Sequence, residues 1–149
     1  MVIQRIQTLF LLIATALLIV FIFVPFGYWN IVDAGVEMGL SPLRASAQTG
    51  LLIPLCVAAL LSFVAIFLFK KSALQKGLVV LSIIATLVTV AMVIYLLTAG
   101  YVDTDSNIVL TAQWGCGGLI PVAAIIMEIA AYRGISADQK LLRSYDRLR

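Results

Sequence analysis

Four long stretches of this chain contain no Asp, Glu, Lys or Arg: residues 6–32, 45–69, 77–102 and 106–127. An α-helix needs about 20 mostly apolar residues to cross a bilayer core of roughly 30 Å. Runs such as Leu9 to Val24 are apolar on every side and show no two-residue alternation, so they read as helices and not as barrel strands. Within the windows the pattern predicts spans at about 8–25, 51–69, 78–97 and 114–132. The expected fold is a single all-α membrane domain over 1–149, a four-transmembrane-helix bundle. An outer loop occupies 26–50, a shorter one 98–113, and a cytoplasmic tail 133–149. In the longer loop Gly35, Gly39 and Pro42 mark turns, which fits a short hairpin or a partial helix.

Composition closes off a soluble alternative. Apolar residues make up 63 % of the chain and charged residues 11 %. An ordinary soluble domain has roughly 45–50 % and about 25 %. A soluble fold of 149 residues cannot hide that much apolar surface, whereas lipid solvates it. Met1 to Arg5 and the following apolar run look at first like a signal peptide. The run is long for that role, and Val24, Pro25 and Phe26 follow it instead of a small-x-small cleavage site, so it reads as a retained span.

The cations set the orientation. Arg5, Lys70, Lys71, Lys76, Arg133, Lys140, Arg143, Arg147 and Arg149 fall on one side of the four spans, and Arg44 alone on the other. Lys and Arg are retained on the cytoplasmic side, so both termini are expected there, in a bacterial inner membrane. Asp33, Glu37, Asp103 and Asp105 lie in the outer loops. Tyr28, Trp29, Tyr101 and Trp114 mark the outer interface and Tyr132 the inner one, with Trp114 opening the fourth helix. The net charge of +3 is thus orientation information and points to anionic lipid, not to nucleic acid.

In the tail, Ser136-Ala137-Asp138-Gln139 has the form of a capping box. Leu141, Leu142, Tyr145 and Leu148 then recur on one side, with Lys140, Arg143, Arg147 and Arg149 on the rest. This predicts a short amphipathic basic helix on the inner membrane surface or the end of the bundle, contacting a partner or anionic lipid. The chain also echoes itself: Gly50-Leu51-Leu52-Ile53-Pro54 matches Gly117-Gly118-Leu119-Ile120-Pro121 at an offset of 67, which also carries Ala45 onto Ala112. Helices 1–2 then correspond to helices 3–4 as a parallel repeat about the membrane normal, against the alternative of chance in an apolar composition.

Glu128 is the one acid inside a predicted span. An acid at mid-helix costs on the order of 2.5–3.5 kcal/mol on insertion scales, and less near the interface. It shares a stripe with Gly117, Pro121, Ala124 and Ala131, small residues that let helices approach closely, so it faces the bundle or a partner. Two readings stand: a proton or cation site or a bridge to a partner subunit, and an ion pair with Arg5, Lys70 or Lys71 at the inner rim. Ala58, Ser62 and Ala65 on helix 2, and Ser82, Thr86 and Thr89 on helix 3, read as packing faces with hydroxyls bonded to backbone carbonyls; a polar path is the sharper alternative.

Other chemistry is thin. There is no histidine, which removes the commonest general base and metal ligand. Cys56 and Cys116, near the outer ends of helices 2 and 4, read as free thiols packed as small apolar residues, against the alternative of a disulfide in an oxidising periplasm. Asp103-x-Asp105-x-Asn107 starts like a calcium loop, but Ile108 and Trp114 stand where its glycine and final glutamate belong. No cofactor, metal or enzymatic activity is expected. The partners expected are lipids and either another membrane protein or a second copy of the chain.

Ile3-Gln4-Arg5-Ile6-Gln7-Thr8, Leu68-Phe69-Lys70-Lys71-Ser72-Ala73-Leu74-Gln75, Ala131-Tyr132-Arg133-Gly134-Ile135 and the ending Arg143-Ser144-x-Asp146-Arg147-Leu148-Arg149 together resemble a family. It is the uncharacterised four-span membrane protein family found mainly in Bacteroidota, a domain of unknown function. The resemblance covers essentially the whole chain and implies the topology and location above; it implies no activity. Members usually carry Asp-Glu where this chain has Asp138-Gln139, and a charge near Ser72. The first functional reading is a non-catalytic subunit or scaffold of an envelope-biogenesis or protein-export complex. The alternative is a small transporter or lipid-binding protein working through Glu128.

Overall fold

The computed structural model describes residues 2–33, 36–68, 71–98, 101–103 and 108–147. Its helices are α1 (Val2–Phe23), α2 (Thr49–Phe67), α3 (Ser72–Thr98) and α4 (Ile120–Arg147). All four are long and apolar enough to cross a membrane. Their outward faces carry exposed Leu60, Phe67 and Ile126, each about three-fifths accessible at 63 %, 64 % and 60 %, which only an apolar surround would solvate. The helices form a ring in which α1 packs on α2 and α4, and α3 packs on the same two.

The all-α expectation is corrected. Strands β1 (Pro25–Asp33), β2 (Val36–Arg44), β3 (Tyr101–Asp103) and β4 (Ile108–Trp114) form one antiparallel sheet in the order β2-β1-β4-β3. The presumed loop 26–50 is chiefly the β1–β2 hairpin, with Tyr28 opposite Pro42 and Asn30 opposite Leu40, followed by a short 3₁₀ turn at Ala45–Ala47. Pro25 stops α1, because its ring has no N–H to give and clashes with the carbonyl one turn back. The aromatic and β-branched residues that follow suit a pleated surface. The loop expected at 98–113 supplies β3 and β4, and β4 pairs with β1 from Gly27–Trp114 to Asp33–Ile108. Trp114 therefore ends β4 and does not open a helix.

Helix ends shift for physical reasons. α1 and α3 begin about one and a half turns earlier than hydropathy alone placed them, since Gln4, Gln75 and Lys76 are polar but good helix formers. α4 begins only at Ile120, after a 3₁₀ turn at Cys116–Leu119, because Gly115, Gly117 and Gly118 favour other backbone conformations and Pro121 suits a first turn. The separate tail helix is also corrected: α4 runs unbroken to Arg147. Gly134 costs a helix about 1 kcal/mol but does not break it. Ser136 caps nothing; its Oγ is buried without a partner. A helix of 28 residues is about 42 Å long, so α4 overshoots a 30 Å core by roughly eight residues along its own axis.

The sequence echo has a structural counterpart. The order helix, strand, strand, 3₁₀ turn, helix occurs twice, from α1 to α2 and from α3 to α4. The halves are not equivalent, however. Pro54 lies inside α2 while its counterpart Pro121 opens α4. A twofold axis would also turn the central β1–β4 pairing into β3–β2, which are the two edges of the sheet.

Two apolar layers fill the bundle. Leu18, Phe21, Phe26, Leu55, Val93 and Leu97 form the larger one beneath the sheet. Leu11, Ala65, Val79, Ala131 and Ile135 form a thinner one toward the opposite end. There the start of α1 meets the end of α4, with Gln7 against Gly134.

Candidate functional site

Between those layers lies the polar centre of the molecule. Glu128 is fully buried, and so are Ser62, Ser82 and Thr86. Ser82 and Thr86 stand one turn apart on α3, hence on one face, and Ser62 projects from α2 at the same depth. Ser62 Oγ lies 2.9 Å and Ser82 Oγ 2.5 Å from Glu128 Oε1. Thr86 Oγ1 lies 3.1 Å from Oε2 and 3.3 Å from Oε1. The two serine oxygens are 2.7 Å apart. Ser82 also reaches the Ala58 carbonyl at 3.0 Å, and Thr86 the Ser82 carbonyl at 2.9 Å. One carboxyl thus ties α2, α3 and α4 together.

Small residues make room for it. Ala58 and Ala65 flank Ser62 on α2 and are fully buried, as are Ala124 and Ala131 on α4. Pro121 is buried in the first turn of α4. Gly117 differs from its expected role: it lies in the 3₁₀ turn, where a Cβ would stand 2.2 Å from the Pro25 carbonyl oxygen, so it admits the β1 backbone and not a neighbouring helix. Thr89 is buried and bonds the Ala85 carbonyl at 3.0 Å, as expected of a packing hydroxyl.

Of the cations considered for Glu128, Lys71 is exposed, and the side chains of Arg5 and Lys70 lie outside the described residues. The partners found are hydroxyls. Sequence reasoning placed Ser62, Ser82 and Thr86 on packing faces but did not join them to Glu128. Counting depth from both ends of each span would have joined them.

A second polar layer sits at the end opposite the sheet. Gln7 on α1 and Gln75 on α3 are 5 % and 3 % exposed. Gln7 Nε2 and Ser136 Oγ are buried with no hydrogen-bond partner. Gly134 lets Gln7 lie across α4, since a Cβ there would stand 2.8 Å from Gln7 Cγ. Lys76 Nζ rests 4.9 Å from the centre of the Tyr132 ring, a cation–π contact. Lys140 is exposed on α4; Arg143 and Arg147 belong to α4 with side chains outside the described residues, and Arg149 lies outside them altogether. Among the described residues no group of three or more His, Cys, Asp or Glu could hold a metal ion. Asp105 and Asn107 lie outside the described residues.

Both cysteines are free, Cys116 exposed and Cys56 half-buried. A membrane-impermeant maleimide should therefore modify Cys116 from the sheet side of intact vesicles and leave Cys56 largely unmodified. Mass spectrometry of the two peptides checks this, and equal labelling would contradict the placement of α2.

Four apolar helices around a buried polar centre define a multi-pass membrane protein. The sequence matches the family described as Domain of unknown function (DUF4293) over residues 3–148, and the chain belongs to that family. None of the curated proteins matches it.

Proposed function

We propose that this protein is a non-catalytic subunit or scaffold of a bacterial inner-membrane complex serving envelope biogenesis or protein export. Both termini lie in the cytoplasm and the sheet outside. The nine-to-one cation split supports that orientation. The ending Arg143-Ser144-x-Asp146-Arg147-Leu148-Arg149 supports an origin in Bacteroidota.

The observation that carries the reading is the closure of the Glu128 network. The carboxyl spends its hydrogen bonds on Ser62, Ser82 and Thr86, inside the bundle. An acid that handles a solute faces a cavity. The groove of about 420 Å³ between α1 and α2, lined by Thr15, Ile22, Cys56 and Phe63 among others, does not include Glu128. The tie holds the helices in register, and the sheet and the overshooting basic end of α4 remain for partners.

Native mass spectrometry after purification in mild detergent tests this. A stoichiometric membrane-protein partner or a defined homo-oligomer is expected; a clean monomer contradicts it.

A further inference from the structure

We infer that Glu128 is a proton-carrying site, holding its carboxyl as the acid with its O–H shared with Ser82, and that it exchanges this proton with the end of the bundle opposite the sheet. The inference goes beyond the scaffold reading and holds whether or not a partner subunit is found.

The available hydrogens favour the acid. Among the Ser62 and Ser82 hydroxyls, the Ala58 carbonyl and Glu128 Oε1, four oxygen pairs stand at hydrogen-bond distance: Glu128–Ser82 at 2.5 Å, Ser62–Ser82 at 2.7 Å, Glu128–Ser62 at 2.9 Å and Ser82–Ala58 carbonyl at 3.0 Å. Each hydroxyl has one hydrogen to donate. With an ionised carboxylate, the two serines fill two of these pairs. The other two then bring lone pairs together. A hydrogen on Glu128, donated to Ser82 Oγ, frees the Ser82 hydrogen for the Ala58 carbonyl and the Ser62 hydrogen for Glu128 or Ser82. Three pairs are then filled. Thr86 keeps its own choice of the Ser82 carbonyl or either carboxyl oxygen, Oε2 being the nearer.

The surrounding charges favour it too. The other titratable and charged side chains described on the helices around Glu128 are Cys56 on α2, Lys76 and Tyr95 on α3, and Tyr132, Arg133, Asp138 and Lys140 on α4. Glu128 bonds to none of them; its partners are the three hydroxyls. Lys76 is taken up by the Tyr132 ring. On α1 the one charged residue is Arg5, whose side chain lies outside the described residues. A buried charge without a paired counter-ion neutralises in preference to staying ionised.

The direction of exchange follows from the two apolar layers. Toward the sheet stand Leu18, Phe21, Phe26, Leu55, Val93 and Leu97, with no buried unpartnered side-chain atom among the described residues. Toward the other end stands the thinner layer, made of Leu11, Ala65, Val79, Ala131 and Ile135. Just beyond it lie Gln7 Nε2 and Ser136 Oγ, buried and unpartnered. Buried polar atoms without a protein partner are where ordered water is held. Ser136 follows Glu128 by eight residues, about 12 Å along α4, a distance a short water file spans.

Dicyclohexylcarbodiimide provides the test. It adds whole to a protonated carboxyl in apolar surroundings, so the adduct gains the full mass of the reagent. In membrane vesicles at neutral pH, one adduct per chain is expected on Glu128, located by fragment mass spectrometry. In vesicles whose buffer bathes the end opposite the sheet, alkaline buffer should abolish the adduct. Raising the pH on the sheet side alone, with the other side buffered, should leave it unchanged. Glu128→Gln should lose the adduct; if that variant fails to fold, the fragment map of the unmodified sequence still locates it. Absence of an adduct on Glu128 at neutral pH overturns the proton site. An adduct that follows the sheet-side pH overturns the direction.

Discussion

Gly117→Ala should lose about 1–3 kcal/mol of stability, the usual cost of overpacking, and the upper part of that range is expected because the nearest atoms the Cβ meets are backbone. The added Cβ would stand 2.2 Å from the Pro25 carbonyl oxygen, 2.9 Å from the Pro25 carbonyl carbon and 2.9 Å from Val24 Cγ1. Neither β1 nor the 3₁₀ turn can yield independently. The Gly115 amide donates to the Phe26 carbonyl at 2.9 Å, and a Cβ on Gly115 would itself meet the Phe26 and Gly27 backbone at 3.0–3.1 Å. The end of α1 and the approach to α4 are thus clamped at one point beneath the sheet. Gly77→Ala is the control. A Cβ there meets nothing within 4 Å, and Gly77 lies inside α3, so the substitution should be neutral or stabilising by up to about 1 kcal/mol. Denaturing-detergent titration followed by the fluorescence of Trp29 and Trp114, both in the sheet, measures the two variants side by side. Equal midpoints for the two alanines would show that the clamp is not where the geometry puts it.

The same junction shows what the sequence could and could not reveal. Hydropathy finds spans because lipid demands apolar side chains on every outward face, and α2 accordingly lies close to its expected limits. Strands outside the membrane answer to no such demand. Ile108-Val109-Leu110-Thr111-Ala112-Gln113-Trp114 is uncharged and β-prone, but its partner β1 lies some eighty residues earlier, and the pairing is set by the bundle that brings α1 and α4 together. The capping-box pattern at Ser136 misled because a local signal was weighed without its context. The helix was already running, and a helix in progress continues more easily than a new one begins. Glu128 was visible as a lone acid in an apolar window; its hydroxyl partners were visible as residues, but only equal depth on three helices joins them.

Glu128 then carries the second large effect, and the size of the change depends on what replaces it. Glu128→Ala removes a fully buried side chain from a packed centre, which costs about 2–4 kcal/mol by analogy with other large-to-small changes. The cavity dominates this cost. After truncation each hydroxyl retains an acceptor: Ser82 the Ala58 carbonyl, Thr86 the Ser82 carbonyl, and Ser62 the Ser82 oxygen. Polar groups left unsatisfied therefore add little. Glu128→Gln keeps the shape: its N–H₂ takes the place of Oε1 and donates to Ser82 Oγ as the acid O–H does, and its carbonyl oxygen takes the place of Oε2 and accepts from Thr86. If the native carboxyl is the neutral acid, the amide replaces like with like and costs less than about 1 kcal/mol. If it is an ionised carboxylate, its hydrogen bonds are charge-assisted, worth about 1.5–3 kcal/mol each, and glutamine forfeits that charge. The same denaturation assay thus separates the two states by the gap between alanine and glutamine: a wide gap supports the acid, and near-equal losses support the carboxylate.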